Sequence, residues 1–151
     1  MNACIRAVAP DEGERLREIA VAAKASWGYD LTRVTEWAAM GDFSPRGLAR
    51  MDVYVASVDE KLVGWMAAIH QGHALWLDDL WIDPQWMGQG IGSQLFRHAM
   101  DVGRQSGAVR MEWEAEPNAL GFYEKMGGQY VRDGDLSLWG RVNPVMSLDL
   151  S

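Results

Sequence analysis

The chain predicts a mixed α/β (α+β) domain, with a central, mostly antiparallel sheet of about six or seven strands, one parallel pair, and helices on both faces. Three observations carry this. Residues 52–82 hold three apolar runs separated by short turns, the mark of an antiparallel meander. The last run continues through Pro84 and a glycine-rich turn into a helical stripe. A further strand, at 108–115, follows that helix, and a helical crossover sets it parallel to its predecessor.

The elements follow in order. Residues 3–8 alternate weakly and read as a short strand. Pro10-Asp11 opens a helix, with Asp11 as N-cap and Glu14 three residues on. Leu16, Ile19, Ala20 and Ala23 share one face of it. The segment Lys24-Ala25-Ser26-Trp27-Gly28-Tyr29-Asp30 breaks that helix at Gly28. A second helix is expected over about 31–40, capped by Thr32, and 41–50 reads as a loop punctuated by Pro45 and Gly47. The meander comprises 52–58, a turn at 59–61, 62–70, a turn at 71–72, and 74–82.

After the glycines, 93–105 is a helix with Leu95, Ala99 and Val102 in one stripe, Phe96 and Met100 beside it, and Gly107 as its stop. Pro117-Asn118 then starts a short helix through Met126, closed by Gly127-Gly128. The last strands are 129–132 and about 144–150, joined by a weakly patterned connection. No repeat, low-complexity tract or linker divides the 151 residues, so one domain is expected.

Composition narrows the function. A 48% hydrophobic, 23% charged chain is ordinary globular protein. A net charge of −7 and a pI near 4.9 argue against a nucleic-acid binder, which carries a basic patch, and leave a cationic partner open. The single cysteine, Cys4, makes no internal disulfide and fits a reducing compartment. No apolar run reaches the roughly 18 residues of a membrane span, and residues 1–10 lack the basic start and apolar core of a signal peptide. A cytoplasmic protein free of membrane is expected. Eight tryptophans exceed what a surface accommodates, so some line a pocket or an interface, and a homodimer is compatible with that.

The stretch 78–93, Asp-Asp-Leu-Trp-Ile-Asp-Pro-Gln-Trp-Met-Gly-Gln-Gly-Ile-Gly-Ser, organises the rest. A strand feeding a glycine-rich turn and a helix N-terminus holds phosphate: loop amides point at the anion, the helix dipole favours it, and glycine lets the backbone approach. A tight turn with close packing is the plainer reason for three such glycines. A dinucleotide fold requires Gly-x-Gly-x-x-Gly early in a βαβ unit, whereas Gly88, Gly90 and Gly92 follow three antiparallel strands. A P-loop requires a lysine before Ser93, and Gly92 stands there.

Leu80, Ile82 and Pro84, followed by Met87-Gly88-Gln89-Gly90-Ile91-Gly92, resemble motif A of the GNAT superfamily, the Gcn5-related N-acetyltransferases. Asn118-Ala119-Leu120-Gly121-Phe122-Tyr123, with Gly127 beyond, is similar to that family's motif B, and Lys24-Ala25-Ser26-Trp27-Gly28-Tyr29 matches a segment of its small bacterial members. The order of strands and helices agrees from end to end. Met87 departs from the pattern, which carries Arg or Gln there.

The resemblance implies a GNAT fold and acetyl-CoA as cosubstrate. Leu80, Trp81, Ile82, Met87, Gly88, Gly90, Gly92 and Ser93 would hold it, with Asn118 on the pantetheine arm unless Asn118 serves as a helix cap. It implies Tyr123 as general acid to the departing thiolate, with Phe122 in the core. It also places Trp27, Tyr29 and Trp37 near the acceptor, unless they only pack on the sheet.

An alkyl amine with a pKa near about 10.4 is mostly protonated at neutral pH, so a base or water chain must take a proton. Asp78 and Asp79, adjacent on a strand, point to opposite faces unless a bulge intervenes, as it often does in this family. Asp78 is the preferred base, with Asp79 beside it and Glu114, on the next strand, as the alternative. No His, Cys and carboxylate cluster has metal-ligand spacing, and the chemistry needs no metal.

The expected function is N-acetylation of a primary amine, on a small molecule or peptide, by direct attack in a ternary complex. A catalytically idle acyl-CoA-binding module is the alternative from another class. Transfer to a charged tRNA or a ribosomal protein is a further one, and the acidic balance weighs against the tRNA version.

Overall fold

In the computed structural model, which describes residues 2–137 and 139–151, the meander forms as three paired strands. They are β2 (Asp52–Val58), β3 (Lys61–Gln71) and β4 (Ala74–Ile82). Asp59 and Glu60, both at positive φ, join β2 to β3 in a two-residue turn, the geometry that matches strand twist. Gly72, at φ 62°, turns β3 into β4.

With β1 (Cys4–Ala7), β5 (Arg110–Glu114), β6 (Gln129–Leu136) and β7 (Val142–Asp149), these form a seven-stranded mixed sheet in the order β1-β2-β3-β4-β5-β7-β6. The β4–β5 pair is parallel, as the crossover predicts, and β5–β7 and β6–β7 are antiparallel. The helices are α1 (Gly13–Ala25), α2 (Leu31–Ala39), α3 (Pro45–Leu48), α4 (Ile91–Gln105) and α5 (Leu120–Lys125), with 3-10 turns at Pro84–Trp86 and Pro117–Ala119.

Two compact units divide the chain. The first comprises Met1–Ala68 and Asp79–His98. Its core joins Leu16, Ile19 and Ala20 of α1 to Leu48 and to Val53, Val55, Leu62, Trp65 and Ala67 of the sheet. Burying one such side chain is worth about 1.5–3 kcal/mol. The Trp65 indole donates to the Leu16 carbonyl at 2.9 Å, which satisfies a polar group inside that core.

The second unit comprises Ile69–Asp78 and Ala99–Ser151. Here Met111 and Trp113 of β5 are buried with Leu75, Met146 and Leu150. A Cβ at Gly103 would meet Leu150 Cδ1 at 2.7 Å and Leu75 Cβ at 3.5 Å, so glycine lets α4 close onto these side chains.

Several local expectations are corrected. Asp11 is not the cap of α1: Glu12 holds that position, and its carboxylate turns back to Arg6 and to the Ala9 amide. Asp30, not Thr32, caps α2 and accepts from the Arg33 amide at 3.2 Å. The supposed loop at 41–50 contains α3, capped by Ser44 with Pro45 in its first turn.

The helix α4 opens at Ile91 rather than Ser93, because the first bond of its ladder runs from the Gln94 amide to the Gly90 carbonyl. The helix after Pro117 splits into a 3-10 turn and α5, which ends at Lys125. β6 reaches Leu136, past the expected 132, through two register shifts. Leu138 of the connection lies outside the described residues.

Candidate functional site

In the first unit, the glycine loop owes its path to backbone rather than space. Gly88 and Gly90 stand at φ 77° and 85°, and a Cβ at either would meet nothing within 4 Å. L residues other than glycine are strained there. Gly92 differs, since it lies inside the first turn of α4. Amides of a helix's first turn precede its hydrogen-bond ladder, so those after Gly90 are donors for an anion. Ser93 is half-buried in that turn, and Met87 is exposed at the head of the loop.

The approach to the loop is pinned from two sides. The Asp83 amide donates to the Val63 carbonyl at 2.8 Å, and the Asp83 carboxylate caps the turn Pro84–Trp86 by accepting from the Gln85 amide at 3.1 Å. Arg15 of α1 donates to Asp83 Oδ2 at 2.9 Å and to the Leu62 carbonyl at 3.0 Å. A Cβ at Gly64 would meet Ile82 Cδ1 at 2.8 Å and the Trp81 carbonyl at 3.1 Å, so glycine lets β4 approach closely just before the loop. Leu80, Trp81 and Ile82 are all half-buried.

The same unit gathers the aromatic residues expected near an acceptor. Trp27 lies 6.2 Å from Trp81 at 42°, and Trp37 meets Trp81 edge-on at 5.3 Å and 66°. Lys24, only 5% exposed, places Nζ 4.6 Å from the Tyr29 ring and 5.5 Å from Trp37, within cation–π range. Trp37 and Trp81 also pack against the α1 core, so part of their burial is structural. Asp79, half-buried, accepts from Trp81 Nε1 at 3.0 Å.

The second unit holds the other named residues. Its β4–β5 ladder runs only from Ala74↔Arg110 to Trp76↔Glu112. Asp78 follows, exposed, and accepts from Trp76 Nε1 at 3.2 Å. Tyr123 is 8% exposed, with its ring 5.3 Å from both Trp113 and Phe122. Tyr123 is thus a buried aromatic, and Phe122, expected in the core, is half-buried.

Asn118 is not a cap; it gives both its backbone amide and its Nδ2 to Glu116, at 3.3 and 2.7 Å. Glu116 caps the turn at Pro117 and pairs with Arg141 at 3.3 Å. Glu112 pairs with Arg110 and Arg132, at 2.8 and 3.5 Å. Glu114 is exposed, and its carboxyl carbon lies 3.1 Å from where a Cβ at Gly134 would stand.

A cavity of about 260 Å³ in the first unit, lined by Val8, Pro45, Leu48, Met51 and Tyr54 among others, contains none of the named candidates. Three features were missed in the sequence: the Arg15–Asp83 pair, the contacts of the Trp81 indole with Asp79, Trp27 and Trp37, and burial of Lys24. Lys24 falls four residues after Ala20 on the buried face of α1, which is the signal that could have found it. Among the described residues no group of three or more His, Cys, Asp or Glu could hold a metal ion, and no helix is long and apolar enough to cross a membrane.

Comparison with known proteins matches residues 14–128 to the acetyltransferase (GNAT) family. The peptidyl-lysine N-acetyltransferase YjaB of Salmonella typhimurium is 33% identical over 109 residues, covering 72% of this chain and 69% of the relative. A GCN5-related N-acetyltransferase structure from Rhodopseudomonas palustris superposes with a TM-score of 0.82 at 20% identity, covering 99% of this chain and 96% of that one. The PaiA N-acetyltransferase from Thermoplasma acidophilum, in complex with coenzyme A, gives a TM-score of 0.82 at 17% identity and covers 99% of both chains.

Proposed function

The chain belongs to the GNAT family of N-acetyltransferases, and from that premise we propose that it acetylates a primary amine by direct attack on acetyl-CoA in a ternary complex. The supporting observation is the turn through Gly88 and Gly90, at positive φ, into the N-terminus of α4. Its donors are backbone amides of the loop and of the first turn of α4, suited to a diphosphate; the Met87 amide is not among them, since it donates to the Pro84 carbonyl at 3.3 Å. Backbone groups of Leu80, Trp81 and Ile82 and the Asn118 side chain are assigned to the acyl and pantetheine portions.

In this reading the amine nitrogen bonds to the thioester carbonyl carbon, the C–S bond breaks, and the amine's proton passes to a base. A carboxylate that receives it acts directly or through water. Asp79 takes the place of Asp78, favoured from the sequence, as the preferred base, because its indole partner Trp81 belongs to the Trp27–Trp37 cluster proposed to receive the acceptor. Tyr123 donates a proton to the departing thiolate. A lysine side chain, on a peptide or free, is the first acceptor to test, since the Salmonella relative acts on peptidyl lysine.

The test is a spectrophotometric screen of thiol release from acetyl-CoA against lysine peptides, polyamines, amino acids and aminoglycosides. Asp79→Asn, Asp78→Asn and Glu114→Gln are assayed in parallel. Turnover with an amine that is lost only in Asp79→Asn supports the reading. Turnover lost instead in Asp78→Asn or Glu114→Gln moves the base to that residue. No thiol release from any amine, with acetyl-CoA still raising the melting temperature, replaces the enzyme reading with an acyl-CoA-binding module.

A further inference from the structure

We infer that the Trp81 indole positions the Asp79 carboxylate for the acceptor amine, an inference that rests on the reading of Asp79 as the proton acceptor. The two residues are two apart on β4 and so share a face of the strand. Trp81 Nε1 donates to Asp79 Oδ1 at 3.0 Å. The indole is itself held by two neighbours on separate segments: Trp37 of α2 meets it edge-on at 5.3 Å, and Trp27, after α1, lies at 6.2 Å.

A ring braced in this way cannot swing without disturbing both partners. Its N–H therefore defines where Oδ1 stands. An indole is a donor and never an acceptor, so the bond holds the carboxylate in its accepting role. An ionised carboxylate has about four lone-pair sites, so this one bond does not by itself exhaust its acceptor capacity. A carboxylate on a flexible stem would lose orientation at each turnover, and misplacement by about 1 Å can cost a hundredfold in rate. The aromatic cluster thus has a second use beyond covering the acceptor: it fixes the direction in which the base points.

Trp81→His and Trp81→Phe separate this role from packing. The Nε2–H of a neutral histidine occupies the same ring position relative to Cβ as the indole Nε1–H, whereas phenylalanine keeps more apolar bulk and has no donor. Both variants are assayed at pH 8 with the amine giving the fastest thiol release in the screen, and their melting temperatures are measured. If Trp81 positions Asp79, Trp81→His exceeds Trp81→Phe in kcat by about tenfold, the scale of a hydrogen bond to a charged group, although phenylalanine gives the higher melting temperature. KM for acetyl-CoA does not differ between the two variants. If kcat instead follows melting temperature, Trp81 only packs and the inference is overturned.

Asp79→Asn distinguishes the two levels. Wild-type kcat in that variant sinks the reading of Asp79 as proton acceptor. Its inactivity together with equal kcat in the two Trp81 variants sinks the positioning role alone. A second measurement leaves Trp81 in place and needs no acceptor. Hydrogen exchange at the Trp81 indole should be about tenfold faster in Asp79→Ala than in the wild type, and equal rates overturn the inference.

Discussion

Arg15 and Asp83, 68 positions apart in the chain, meet at 2.9 Å, and the same Asp83 carboxylate caps the turn from which the glycine loop departs. One side chain therefore ties the first long helix to the start of the proposed cofactor loop. Asp83 is the more buried partner, at 16% exposure against 32% for Arg15. Removing the acid leaves the less buried partner, Arg15, which keeps the Leu62 carbonyl and lies 4.0 Å from Glu18, so what is lost is one charge-assisted bond and one cap. Asp83→Ala is expected to lower stability by about 1–3 kcal/mol and raise KM for acetyl-CoA three- to tenfold, with kcat little changed. Urea unfolding and initial-rate kinetics check it; an unaltered KM would show that the loop holds its shape without the pair.

Met87 stands exposed at the head of the loop, where the motif that this stretch resembles has Arg or Gln. Met87→Arg adds a positive charge at an exposed position and should tighten coenzyme A binding by about 1 kcal/mol. Calorimetry at two ionic strengths reads both the gain and its screening by salt. An unchanged Kd means that the diphosphate does not lie at this loop.

Tyr123→Phe keeps the ring between Trp113 and Phe122 and removes only the hydroxyl. If that hydroxyl protonates the thiolate, kcat falls about a hundredfold while KM for acetyl-CoA is retained. The melting temperature should drop by less than about 4 °C. A variant with full activity would make Tyr123 a core aromatic and nothing more.

Glu12 offers a stability measurement independent of catalysis. Arg6 donates to both its carboxylate oxygens at 2.8 Å, and the Ala9 amide donates at 2.7 Å. The Arg6 bonds, chiefly, hold its carboxyl below the usual range, against a smaller opposing effect of burial. A depressed folded-state pKa means that the contribution is fully present above the unfolded value, near about 4.3, and is lost as pH falls through the folded value. The melting-temperature gap between wild type and Glu12→Gln should therefore be constant from pH 7 to 5 and close below pH 4. A gap that persists at pH 2 would contradict the ion-pair origin.

The sheet, the glycine loop and the parallel crossover were legible because each rests on local signals: short turns, period-two runs, and glycines that only an unusual backbone requires. The cap positions were less so. Asp11 and Thr32 look like caps by type, but Glu12 and Asp30 hold those positions, and type alone does not say which neighbour does. α3 was hidden by Pro45 and Gly47, residues that usually punctuate loops. Gly47 is needed there because a Cβ would clash with the Asp42 carbonyl, a close backbone approach within the segment that residue types alone do not announce. The same applies to the site. The loop could be read from spacing, whereas the choice among Asp78, Asp79 and Glu114 depends on which ring each carboxylate meets, and such contacts have no sequence signature.

The open space around Gly88 and Gly90 has a consequence for what the loop can be made from. Among the described residues nothing lies within 4 Å of a Cβ at either position; the positive φ is what disfavours one. The exclusion is therefore one of handedness, not of bulk. A mirror-image alanine, placed at either position by chemical ligation, would find this backbone comfortable where its natural counterpart would strain it. It would also stiffen the unfolded chain relative to glycine. If such a residue kept the loop folded but blocked coenzyme A, the vacant side of the turn would be marked as the face kept clear for the ligand.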